Sequence, residues 1–320
     1  MLYTRREIAS LALAAGSALP LLAAPKPNSK IGGVQIGIIT YSFRALPESA
    51  EETLRYCVEC GISGIELMSN VAEVYAGAPA VPPTARGDSA TAEQRAAHEK
   101  AVEARRAWRT SVSMDKYKQF RKMYENAGVK IYAFKLPPAL NMPDAEYEYI
   151  WNVTETLGAN HVTMELPTND EHLARVAKFA AKRKIPIAFH THGQGGSSGF
   201  DKALNASPYT ALNLDVGHYY GVTGESPLPI IEKYASRISS LHIKDRKGPE
   251  FAGENRGPGS GGPNMPFGQG GTPIKEILQL MKAKKYKFPA SIEYEYQTPQ
   301  GSDVLTEIKK CANYCKAALA

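Results

Sequence analysis

Residues 211–245 read A-L-N-L-D-V-G-H-Y-Y-G-V-T-G-E-S-P-L-P-I-I-E-K-Y-A-S-R-I-S-S-L-H-I-K-D. Two apolar runs, Ala211–Val216 and Ile238–Ile243, flank one helical pattern, Pro229–Ser236. Each run ends in residues that bind a metal or move a proton: Asp215 and His218 after the first, His242, Lys244 and Asp245 at the second. A strand, a helix and a second strand in about this length make one βα repeat. The same rhythm, roughly every 25 residues, extends outward to His161–Leu166 and Ile187–His190. Adding Val34–Tyr41, Gly64–Met68, Lys130–Leu136 and Ala290–Tyr294 gives eight candidate strands. The expected fold is α/β, a single-domain (β/α)8 TIM barrel.

Helical patterns lie between the strands. Ala50–Cys60, Met114–Asn126 and Ala145–Leu157 are each followed by a stop glycine: Gly61, Gly128 and Gly158. Glycine just past a helix accepts the left-handed conformation that ends it. Glu171–Lys182, Ile274–Lys284 and Ser302–Ala318 complete the set. Two insertions, 78–110 and 246–272, break the rhythm; both follow strands and so belong on the face where strand ends gather. The second is dense in Gly and Pro, which predicts no regular element and suits a lid or binding loop. Its glycines match neither a phosphate-binding loop nor a dinucleotide fingerprint.

The chain has 320 residues, 22% of them charged, and a formal charge of +6. Its Lys and Arg are scattered, with small clusters at 105–109, 182–184 and 282–287 that read as solvated helix faces rather than a nucleic-acid footprint. Arg5-Arg6-Glu7 before an Ala-rich apolar run reads as an export signal over 1–24, of twin-arginine type, followed by a linker over 25–33. That implies an exported, extracytoplasmic protein with no membrane attachment once the signal is removed. Of the four cysteines, Cys57 and Cys60 share one helical face and Cys311 and Cys315 another. Core packing is the first reading; a disulfide between the two pairs is the other, since first and last helices of a barrel are neighbours.

The strand ends carry the chemistry. Glu165, Asp215, His242 and Glu293 form a set of three carboxylates and one imidazole, suited to one divalent cation such as Mn2+, Mg2+ or Co2+, with Zn2+ the softer option. A lone strand-end Glu is ordinarily a salt-bridge partner. Four such residues on successive strands exceed what packing explains, because buried charge is costly unless compensated. Glu66 and Lys135 end the second and third strands, Glu66 as a metal or substrate contact and Lys135 as an oxyanion holder, or the two as a mutual ion pair. His190 and His192 close the fifth, and Arg246 follows the seventh, placed to contact substrate.

In their order and spacing, L-D-V-G-H, L-H-I-K-D and S-I-E-Y-E resemble the xylose isomerase-like TIM barrel superfamily, and the resemblance spans about Gly33 to Ala318. That family holds sugar isomerases, ketose 3-epimerases, hydroxypyruvate isomerase, inosose dehydratase and AP endonucleases. The resemblance implies Asp215, His242 and Glu293 as metal ligands, His218 as a substrate contact, and Glu293 as a base as well. Pro266–Thr272 resembles the family's G-x-G segment. Where epimerases carry E-N-H on strand five, this chain has His190-Thr191-His192. Either Glu165 supplies the missing carboxylate or His190 binds the metal itself.

The expected chemistry is proton abstraction next to a carbonyl. Glu293 with His190 or His192 serves as base and acid, and Lys244 or Lys135 supports the oxyanion. The expected partner is a small, unphosphorylated carbohydrate, with isomerase or epimerase as the activity. A 3-keto-glycoside lyase or inosose dehydratase-like lyase is the close alternative. A phosphodiesterase of the AP-endonuclease kind and a non-catalytic sugar-binding barrel are the remaining classes. Whether the chain forms a homo-oligomer stays open.

Overall fold

The computed structural model describes residues 26–82, 91–192, 196–255 and 260–320. The export signal read over 1–24 lies outside them, as does part of the first insertion. Among the described residues no helix is long and apolar enough to cross a membrane.

Eight parallel strands close into a barrel: β1 Val34–Ile39, β2 Gly64–Met68, β3 Lys130–Lys135, β4 His161–Glu165, β5 Ile187–His190, β6 Thr210–Asp215, β7 Ile238–Ile243 and β8 Ala290–Ile292. Each pairs with its sequence neighbour, and β8 pairs with β1 through Ser291 opposite Gly37. All eight expected strands are present. The first and last are shorter than expected: β1 turns into a 3-10 helix at Thr40–Phe43, and β8 stops at Ile292.

Around the barrel run α1 Ala50–Glu59, α2 Ser69–Tyr75, α3 Ala92–Ser111, α4 Asp115–Asn126, α5 Asp144–Thr156, α6 Asp170–Arg183, α7 Gly196–Asn205, α8 Val216–Thr223, α9 Leu228–Tyr234, α10 Ile274–Lys284 and α11 Val304–Leu319. The stop glycines hold: Gly61, Gly128 and Gly158 have φ of 70°, 84° and 73°. In α4, Tyr117, Phe120 and Tyr124 recur at helical spacing and are buried, which is why this stripe faces the sheet. Sequence periodicity missed α2, α7 and α8, which are short.

Polar pairs fill the barrel interior. Tyr132 Oη on β3 meets Ser291 Oγ on β8 at 2.5 Å, and His161 Nε2 on β4 meets Ser240 Oγ on β7 at 3.0 Å. Gly37 makes room for the tyrosine, since a Cβ there would come within 2.6 Å of its ring. In these two pairs each buried polar side chain finds its partner on a distant strand.

Three expectations need correction. The stretch read as a linker over 25–33 is partly built in: Lys30–Ile31 turns at Gly32-Gly33 and pairs antiparallel with Val34 and Gln35, at the strand-start end. The 246–272 loop does contain regular structure, because Asp245–Arg246 pairs with Asn264–Met265 and Pro249–Glu254 forms 3-10 turns. The arginines at 105–109 are not all a solvated face. Arg105 and Arg109 pair with Glu73 at 3.0 and 2.7 Å, and Arg109 also reaches Glu146 at 2.9 Å. Both carboxylates are buried, so they require these counter-charges, and in this way α3, which buries no residue of its own, is docked. The first reading of the cysteines stands, since all four are free and buried; burial pushes their thiols up, Cys60 to about 12, so they serve as core residues.

Candidate metal centre and active site

The strand ends on one face of the barrel bring the chemistry together. Asp215 ends β6 and begins α8. Its Oδ1 accepts the His218 backbone N–H at 2.7 Å, so the carboxylate serves as helix cap. This explains the spacing D-x-x-H, since the cap reaches the third residue of the helix. Gly217 between them is obligatory, because a Cβ there would lie 2.5 Å from the Lys244 carbonyl oxygen.

On β7 the two-residue period puts His242 and Lys244 on the interior side. Past β8, Glu293 is held by its backbone N–H to the Ile243 carbonyl at 3.1 Å. His190, from β5, completes the group. Ligand atoms of His190, Asp215, His242 and Glu293 all lie within 4.8 Å of one another, and all four residues are buried. The Nδ1 atom of His190 is buried without a hydrogen-bond partner. Two carboxylates, two imidazoles and an unsatisfied nitrogen fit one divalent cation of borderline hardness. A second group, His190, His192 and His218, overlaps the first, with His192 exposed at the mouth. Its ring planes meet at 79° to 82°.

Glu165 stands apart from the four. It is partly exposed, its Oε1 3.2 Å from Lys135 Nζ and its Oε2 2.9 Å from His192 Nδ1. Lys135 thus pairs with Glu165, while Glu66 is turned inward and completely buried. Glu66 Oε1 accepts from Thr163 at 2.7 Å; its Oε2 accepts from Asn213 at 3.0 Å and meets His242 Nε2 at 2.7 Å. Neither Thr163 nor Asn213 was singled out from sequence. The available signal was that each lies two residues before a strand-end carboxylate, on the same face of its strand.

Lys244 is buried among three carboxylates: Glu293 and Glu295 at 2.7 Å each and Asp215 at 2.9 Å. Arg246 is completely buried. Its Nε donates to the Gly262 carbonyl at 2.8 Å and one Nη to His218 Nδ1. The Asp245 carboxylate accepts the backbone N–H groups of Gly268, Gly270 and Thr272 at 2.8, 3.0 and 3.1 Å, which fixes the glycine-rich loop over the mouth.

The charges are strongly coupled. Burial pushes the Glu66 carboxyl up, but the His242 ring overrides this and holds it at about 2. Burial would lower His242, but Glu66 and Glu293 raise it to about 10. For Asp215 burial prevails over the Lys244 charge, leaving it at about 6. Glu293 stays well below the usual range, because Lys244 and His242 outweigh its burial. Burial, reinforced by Lys135, keeps His190 neutral. Burial, with Lys244 and Arg246 beside it, does the same for His218.

A family model for the xylose isomerase-like TIM barrel matches residues 54–314. Among curated proteins, the chain is similar to inosose dehydratases of two Clostridium botulinum strains, Eklund 17B and Alaska E43. Each is 27% identical over 157 residues, 45% of this chain and 51% of the relative. The chain thus spans about half the length of the curated relatives it matches. Among the solved structures that share the fold, three illustrate the likeness. The probable 3-DHS dehydratase AsbF of Bacillus anthracis has a TM-score of 0.60 at 16% identity, over 87% of this chain and 97% of that one. A xylose isomerase domain protein of Planctomyces limnophilus has 0.57 at 11%, over 91% and 98%. An L-ribulose 3-epimerase has 0.56 at 15%, over 89% and 94%.

Proposed function

The chain belongs to the xylose isomerase-like TIM barrel family, and from that premise we propose that it is a metal-dependent enzyme that enolises an unphosphorylated carbohydrate or carbohydrate derivative. The observation that carries this reading is the buried group His190, Asp215, His242 and Glu293, whose ligand atoms converge within 4.8 Å. These four residues would hold the ion. Bound there, a divalent cation supplies Lewis acidity to a carbonyl and its neighbouring hydroxyl.

The chain's own groups do the rest. Glu293, ionised near neutral pH, accepts the proton next to the carbonyl. His218 takes a hydrogen bond from Arg246 at Nδ1, so its neutral ring carries the proton on Nε2 and acts as a donor to a substrate oxygen. Four strands away from Glu293, Glu165 Oε2 lies 2.9 Å from His192 Nδ1, and this imidazole at the mouth is the second group assigned to exchange a proton. Lys135 and Lys244 are already paired with carboxylates, so a neutral polyol matches this mouth better than a phosphate ester. The leader read over 1–24 supports action outside the cytoplasm.

Returning the proton to carbon gives isomerisation or epimerisation. The second reading is elimination of the β-oxygen. It is favoured by a specific observation: strand five ends in His190, which sits with Glu293 in the buried group, and carries His192 at the mouth, so it offers imidazoles and no second carboxylate. An imidazole suits protonation of a departing oxygen. The similarity to inosose dehydratases points the same way.

The test is incubation with sugars, inososes and 3-keto-glycosides in deuterated water, with Glu293→Gln and Asp215→Ala as controls. Wild-type exchange of one C–H, abolished in both variants, is expected. Absence of exchange on every substrate by metal-loaded protein would sink the enolisation reading. Product mass then separates isomer from dehydrated or cleaved product.

A further inference from the structure

Lys244 has a relationship to the metal group that oxyanion support does not require. An ammonium has three N–H donors, and Lys244 has three carboxylate oxygens around it at 2.7, 2.7 and 2.9 Å. Its side chain is 2% exposed, and those of Asp215, Glu293 and Glu295 are 0%, 7% and 6% exposed. Two of the donors bond Glu293 and Glu295, while the Asp215 oxygen is held by charge at 2.9 Å rather than by a hydrogen bond. Two of the three acceptors, Asp215 and Glu293, belong to the group that would hold the metal, whereas Glu295 does not. Gly217 lets α8 close down on the lysine, so the side chain is packed in place rather than reaching in from solvent.

We infer that Lys244 is a built-in counter-cation that competes with the metal for Asp215 and Glu293, and that Glu295 is the acceptor that retains it when the metal takes those two. Without metal, the lysine offsets part of the charge of a buried trio of carboxylates that would otherwise repel one another more strongly. With metal, a second cation must share the same oxygens, and the repulsion between the two sets the affinity. The inference rests on the proposed four-residue metal group.

Opposite signs distinguish this from a merely structural lysine. Mn2+ binding by wild type, Lys244→Met, Glu295→Gln and the double variant is measured calorimetrically, alongside thermal unfolding of the metal-free proteins. Lys244→Met is expected to tighten Mn2+ about tenfold or more and to lower the metal-free melting temperature by about 5 °C or more. Glu295→Gln is expected to weaken Mn2+ about tenfold, because the lysine then has only the metal's own ligands to bind. In the Lys244→Met background, Glu295→Gln should have no effect beyond about twofold. If the Glu295→Gln loss persists there, Glu295 is itself a ligand and the inference fails. It also fails if wild type binds Mn2+ and Lys244→Met binds it no more tightly. If wild type binds no divalent ion, the four-residue group falls and takes the inference with it.

Discussion

Oε2 of Glu66 on β2 lies 2.7 Å from Nε2 of His242 on β7, a pair 176 residues apart. Glu66 fixes the ring so that Nδ1 faces Glu293, at 3.1 Å. A carboxylate behind a ligand histidine orients it and raises its basicity. Glu66→Gln should therefore weaken divalent-ion affinity by roughly 10- to 100-fold while leaving the fold intact. Calorimetric titration with Mn2+ and circular dichroism check this, and unchanged affinity would remove Glu66 from the metal's support.

The same pair sets a pH dependence for the metal-free protein. His242 is raised from 6.5 to about 10, so its stabilisation is complete below pH 6.5 and is lost as pH climbs toward 10. Glu66 is lowered from 4.5 to about 2, so its contribution is present above 4.5 and disappears as pH falls toward 2. Urea unfolding of the metal-free chain should show a stability plateau between these limits with a decline on the alkaline side. Glu66→Gln should flatten that decline.

Metal loading should release a proton. The metal-free ring of His242 is an imidazolium, and a ligand imidazole must be neutral. Mn2+ affinity should accordingly rise with pH between about 7 and 9, by up to tenfold per pH unit. Titrations in two buffers of different ionisation enthalpy would give the proton count. A count of zero would mean that the histidine is not a ligand.

Asp245 ties three backbone N–H groups of the glycine-rich loop to the end of β7. Asp245→Ala should cost about 2–3 kcal/mol, since hydrogen bonds to a charged group are worth more than neutral ones. It should also raise KM more than it lowers kcat. Equal loss in both would indicate that the loop acts on the chemistry rather than on substrate retention.

Arg109 bridges two buried carboxylates, Glu73 and Glu146. Arg109→Leu leaves both short of a partner and should destabilise the chain by about 2–4 kcal/mol, somewhat less than for a fully buried pair because Arg105 and Arg106 remain. Denaturant unfolding reads the loss, and faster proteolysis within α3 should accompany it.

Much of this was legible in sequence because barrel repeats announce themselves twice, through apolar runs and through the polar residue that ends each run. Asp215, His242 and Glu293 met where strand-end reasoning placed them. The partition between His190 and Glu165 could not be read, since both end adjacent strands. Glu165 pairs with His192 and Lys135 at the rim, while His190 reaches the buried group, and that choice depends on side-chain direction. The role of Glu66 was equally hidden: its partners lie 97, 147 and 176 residues away. The glycine-rich insertion misled for a related reason. Its order comes from Asp245, outside the biased stretch, whereas composition describes only the stretch itself.

The order of the strands also bears on how the molecule is assembled. The four residues that converge come from β5 to β8, and β8 must dock against β1 before the ring closes. A growing chain emerging from the ribosome therefore passes through a long stage in which Glu66, Tyr132 and His161 have already appeared while His242, Ser291 and Ser240 have not. Under the proposed function, ion capture in the four-residue pocket would have to wait for Glu293, so loading would be a late checkpoint that registers completion of the ring.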